Sequence, residues 1–156
     1  MANHRSFWAA TVGAALVVGT MLALVALGAI AHAQGHGGVV LGSKHFVSNS
    51  KGFGTVKPHS FSNGGDASGY VYDIHWSHWG RPSARGRGLN PIFKPHGGYY
   101  REPGHIQLKA FRIGRCPGSH RRAYTRLSVR VSKTPNGPIH GHWRSWAPSG
   151  NICKYI

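Results

Sequence analysis

The chain has 156 residues and carries 19 Lys and Arg against 3 acidic side chains, a formal net charge of +16, with 12 histidines besides. Asp66, Asp73 and Glu102 are the only carboxylates, which leaves little for glycosidases, with their spaced pair of acids, or for Ser-His-Asp enzymes, with their orienting acid. The length suits one domain, and the charge favours phosphate-rich polymers, anionic lipid headgroups or nucleic acid, held by salt-sensitive electrostatics.

In chain order the first feature is a targeting signal. Arg5 precedes an apolar, Ala- and Gly-rich run from Phe7 to Ala31, and Ala31 and Ala33 form an A-x-A cleavage signature before Gln34. Residues 1–33 are therefore expected to be a helical signal peptide, making the protein secreted or extracytoplasmic. The run is long enough to serve instead as an uncleaved anchor, but no cluster of Lys or Arg follows it as a stop-transfer flank. Residues 34–54 read as a loose Gly-rich arm with room for one edge strand, and residues 55–156 as a β domain.

Strand signals run from Thr55 to Phe61, the turn residues SNGGDASG follow, and GYVYDIHW alternates strictly, so a hairpin is expected. Period-two alternation puts Tyr70, Tyr72, Ile74 and Trp76 on one face, with Val71, Asp73, His75 and Ser77 on the other. Gly and Pro so punctuate residues 80–104 that a long loop is expected there. HIQLKAFRI is the next strand, and AYTRLSVRVS is the clearest one. In it Thr125, Leu127, Val129 and Val131 face inward, while Tyr124, Arg126, Ser128 and Arg130 face solvent. IHGHWRSWAP supplies a further strand, and NICKYI returns Cys153 toward Cys116.

Short strands between Gly- and Pro-rich turns predict an all-β fold, a small antiparallel sandwich or partly open barrel. Aliphatic residues are scarce, so Trp and Tyr must supply much of the core. The only cysteines, Cys116 and Cys153, are expected to form one disulfide. Closing a loop of about 38 residues would stabilise the fold by roughly 4 kcal/mol.

The order W-x-x-W-G (Trp76, Trp79, Gly80), A-x-G-x-G (Ala84, Gly86, Gly88), R-C-P-G (Arg115 to Gly118) and Tyr-Thr-x-Leu (Tyr124, Thr125, Leu127) resembles small exported β-domain proteins of actinobacteria. The resemblance spans roughly residues 55 to 131. It implies a fold and carries no activity. Proteins of that group tend to place cysteines after A-x-G-x-G, where this chain has LNPIFKPHGG, so a second disulfide is not expected.

Three kinds of chemistry are open to such a domain. Arg85, Arg87, Arg121, Arg122, Arg126 and Arg130 form a basic stripe, and the planar arginine fork matches phosphate and carboxylate. That stripe points to non-catalytic association with an anionic cell-envelope polymer or membrane surface, without cofactor, protein partner or sequence-specific nucleic acid. A small secreted hydrolase such as a ribonuclease is the enzymatic alternative, with His for proton transfer, Glu102 or a second His beside it, and Arg or Lys for the phosphorane charge; no local motif singles out its histidines. The third is Cu or Ni binding, by His140 and His142 on one strand face or by His36 in a Gln34-Gly35-His36 terminus exposed by cleavage. Against it stands the reading of these histidines as solvated members of a cationic surface.

Overall fold

The computed structural model describes residues 38–154. The signal peptide expected over 1–33, the proposed terminus with His36, and the first residues of the expected arm all lie outside them. The described residues contain no α-helix and form one antiparallel sheet curled into a half-barrel, with a single parallel pairing at one edge.

Four long strands make the sheet: β3 (Tyr70–Ser77), β4 (Ser83–Asn90), β5 (Gly104–Arg115) and β6 (Arg122–Thr134). Four two-residue strands finish it, namely β1 (Val40–Leu41), β2 (Phe61–Ser62), β7 (Gly137–Pro138) and β8 (Arg144–Ser145). The order is β1-β6-β5-β4-β3-β2, with β7 and β8 also on β6. The strands expected over Thr55 to Phe61 and over IHGHWRSWAP shrink to these pairs. Pro58 lacks the N–H that a longer ladder needs in the first of them.

The most consequential departure is β4, where a loop was expected. Ala84, Gly86, Gly88 and Asn90 are buried, while Arg85 and Arg87 are exposed, so the segment alternates like any half-buried strand. Its signature was hidden because the inward positions hold almost no side chain. A Cβ on Gly86 would lie 2.9 Å from the Trp76 ring and 3.2 Å from Leu108 Cβ; one on Gly88 would meet the Tyr72 carbonyl oxygen at 2.9 Å. These glycines admit neighbouring groups into the core and, unlike turn glycines, do not have left-handed φ.

Strand β3 departs in phase. Val71, Ile74 and Trp76 are buried, because Asp73 takes φ 50° and forms a bulge between Tyr72 and His75 that exchanges the two faces. On β5 the register shifts between His105 and Ile106, and Arg112 takes φ 56°. Leu127 is buried as expected, but so is Tyr124, expected outside. Its hydroxyl donates to the Arg81 carbonyl at 2.7 Å and accepts from the Gly80 N–H at 2.8 Å. Trp79 packs edge-on against both Tyr124 and Trp76, and its indole N–H donates to the Val39 carbonyl.

No loose arm exists over the described part of residues 34–54. Leu41, Phe46 and Phe53 are buried with Phe61, Ile106, Leu108 and Leu127 in one core. Phe46, Phe53, Phe61 and Trp146 form a run of aromatic contacts with centroids 4.9, 5.4 and 4.9 Å apart. Large rings thus supply what the few aliphatic residues cannot. Cys116 and Cys153 form the expected disulfide, packed with Val40 and Ala123.

Candidate anion-binding face

The inward alternation of β3 to β6 fixes what stands outside. Antiparallel register places His75, Arg87, Gln107 and Arg130 in one row across the four strands. Ser77, Arg85, Lys109 and Ser128 make the next row, which Ser145 of β8 extends. Neighbouring strands are about 4.8 Å apart, so the four fixed cations Arg85, Arg87, Lys109 and Arg130 occupy a small area. Arg85 faces Lys109 directly, an unfavourable pairing of like charges that a bound anion would relieve.

Side-chain contacts shape this face into a groove. The Arg130 Nε donates to Gln107 Oε1 at 2.8 Å, and its guanidinium lies 5.1 Å from the centre of the half-exposed Trp143 ring. Lys109 lies over Phe111 at 5.4 Å. One depression is lined by Ser77, Arg85, Lys109 and Trp143, and a second by Asp73, Leu89, His105 and Ser132. His75, Arg87 and Gln107 border both, so the two are continuous. The rows from Arg85 to Leu89 span about 13 Å of strand. The carboxylate on this groove is Asp73, whose Oδ1 lies 3.2 Å from His75 Nε2.

The six-arginine stripe divides in three. Arg85 and Arg87 line the groove, and Arg130 flanks it through Gln107 and Trp143. Arg126 shares their face but lines a separate depression with Phe111 and Gly150, and its Nη1 donates to the Ser149 carbonyl at 3.3 Å. Arg122 begins β6 and faces Arg115, and Arg121 just before it donates to the Gly54 carbonyl. From Arg122 to Arg130 is about 26 Å of strand, too far for a shared small site.

His140 and His142 lie in irregular chain between β7 and β8, not on the shared strand face expected of them. Among the described residues no group of three or more His, Cys, Asp or Glu is placed to hold a metal. The tryptophans also separate. Trp76, Trp79 and Trp146 pack with the core, whereas Trp143 stands on the groove.

Lys109 and Gln107 were missed from sequence. The outward parity of Gln107 and Lys109 was legible, since they alternate with Ile106, Leu108 and Ala110. What joins them to Arg85 and Arg87 is register between strands some twenty residues apart. Comparison with protein-family models, with curated proteins and with solved structures finds no match to this chain.

Proposed function

We propose that the protein associates with an anionic polymer of the cell envelope, bound along the groove on the outer face of β3 to β6. The observation that carries this reading is the clustering of Arg85, Arg87, Lys109 and Arg130 in two adjoining cross-strand rows, with Asp73 as the carboxylate beside them. Their field adds to that of a strongly basic chain and draws in polyanions from a distance. Gln107 and the Trp143 ring supply a neutral hydrogen-bonding group and a flat apolar surface for the units between charges. The export expected from the first 33 residues places such a partner within reach.

Poly(glycerol phosphate) is the test ligand. Four phosphates neutralised on a single flexible chain correspond to a slope of about −2.8 in log K against log salt, so raising salt fourfold lowers affinity about fiftyfold. Replacing Arg85, Arg87 and Arg130 together by Gln should abolish most of that dependence, while Arg121→Gln with Arg122→Gln leaves it nearly intact. Binding that ignores salt, or that survives the first substitution set and is lost with the second, overturns the proposal.

A further inference from the structure

The same groove holds the groups needed to cut a polymer as well as to hold one. His75 and His105 both line its second depression, on β3 and β5 respectively, with Arg87 and Leu89 of β4 between them. Register puts their backbones about 12 Å apart, a gap that two imidazoles and an intervening phosphate can bridge. His75 Nε2 faces Asp73 Oδ1 at 3.2 Å, which fixes the ring and leaves Nδ1 free to accept a proton. Both imidazoles are solvent-exposed, as attack on a polymer requires, and the exposed Arg87 lies on the strand between them.

We propose that this groove catalyses transesterification of phosphodiesters bearing a hydroxyl on the carbon next to the ester carbon, the unit shared by polyol-phosphate polymers and RNA. This deepens the polyanion reading and rests on it. His75 Nδ1 takes the proton of that hydroxyl as its oxygen attacks phosphorus, and Asp73 stabilises the imidazolium that forms. The bond from phosphorus to the next unit breaks, and the leaving oxygen takes its proton from the His105 imidazolium. The products are a cyclic phosphate and a free hydroxyl. One proton has in effect moved from attacking to leaving oxygen, and the two histidines exchange protons with water to reset. Arg87 stabilises the five-coordinate phosphorus through its guanidinium. No oxidation and no metal enters the balance. Asp73 acts only through His75 and is a positioning residue.

The experiment incubates the protein with poly(glycerol phosphate) and, separately, with poly(uridylic acid), and follows cyclic phosphate by phosphorus NMR. Binding of an oligothymidylate, which lacks the hydroxyl, is measured in parallel. Cyclic phosphate should form from at least one polymer, and the arm that reacts identifies the source. His75→Ala and His105→Ala should each lower the rate at least a hundredfold with oligothymidylate binding retained. Asp73→Asn should lower kcat without raising KM, since removing a negative charge from the groove does not weaken its hold on a polyanion. Oligothymidylate binding with no cyclic phosphate from either polymer overturns the catalytic inference and leaves the binding proposal standing. Cleavage that persists in both histidine variants also overturns it. Loss of all salt-sensitive binding in the unaltered protein overturns both.

Discussion

Replacing Gly86 by alanine should destabilise the domain, even though alanine usually improves on glycine inside a strand. At a permissive position the change stabilises by about 0.4–1 kcal/mol, because it restricts the unfolded chain. At Gly86 the new methyl would sit 2.9 and 3.0 Å from Cε3 and Cζ3 of Trp76 and 3.2 Å from Leu108 Cβ. The indole cannot swing away easily. Its N–H donates to the Pro58 carbonyl at 2.8 Å, and Trp79 packs edge-on against it at 4.8 Å. Overpacking of this kind costs about 1–3 kcal/mol, so the net loss should be about 1–2 kcal/mol. For a domain of this size that lowers Tm by about 4–10 °C. Urea unfolding followed by tryptophan fluorescence should show a lower midpoint at an unchanged m-value. Gly65→Ala is the control, because its Cβ would meet nothing closer than Asn63 Oδ1 at 3.4 Å. It should stay within about 0.5 kcal/mol of the parent. A Gly86→Ala protein as stable as the parent would refute the account of β4 as a strand thinned to admit Trp76.

Two further outcomes follow from the packing around the sheet. Removing the disulfide with Cys116→Ala and Cys153→Ala opens a loop with a sequence separation of 37 and should cost about 4 kcal/mol, measured by denaturant titration against the oxidised parent. Tyr124→Phe removes the hydrogen bonds to Gly80 and Arg81 and should cost about 1–2 kcal/mol at neutral pH by the same assay. Burial raises the Tyr124 phenol above its ordinary value of 10.0, so its stabilising share is complete below pH 10.0 and is lost as pH climbs through the raised value. The stability gap between parent and Tyr124→Phe should therefore narrow in strong alkali.

The long strands were legible wherever inward positions carried apolar bulk. Ile106, Leu108 and Ala110 announce β5, and Leu127 does the same for β6. Strand β4 escaped because glycine at Gly86 and Gly88 reads locally as turn, and only the rings lying over it explain the choice. Tyr70, Tyr72 and Val71 of β3 were assigned to the wrong sides relative to Ile74 and Trp76 because nothing around Asp73 signals a bulge. Phe46 and Phe53 carry no period, so their segment looked idle although both are buried. For the candidate site, Arg85, Arg87 and Arg130 could be named as basic residues but not as neighbours. Their grouping with Lys109 and Gln107, and the approach of Arg130 to Trp143, depend on pairing across three strands that no local pattern encodes.

The parallel pairing of Val40 and Leu41 with Ala123 and Tyr124 has a bearing on how the chain reaches this shape. Ser43 also donates its N–H to the Ile152 carbonyl, so early residues close against some of the last described ones. Contacts spanning so much sequence form slowly, because the intervening loop must be ordered before they repay it. During synthesis Phe46, Phe53 and Phe61 emerge long before Leu127 and Trp146, the partners that cover them. A growing chain therefore presents a run of bare aromatic rings for most of its production. Those rings must be kept apart from other chains until β6 arrives.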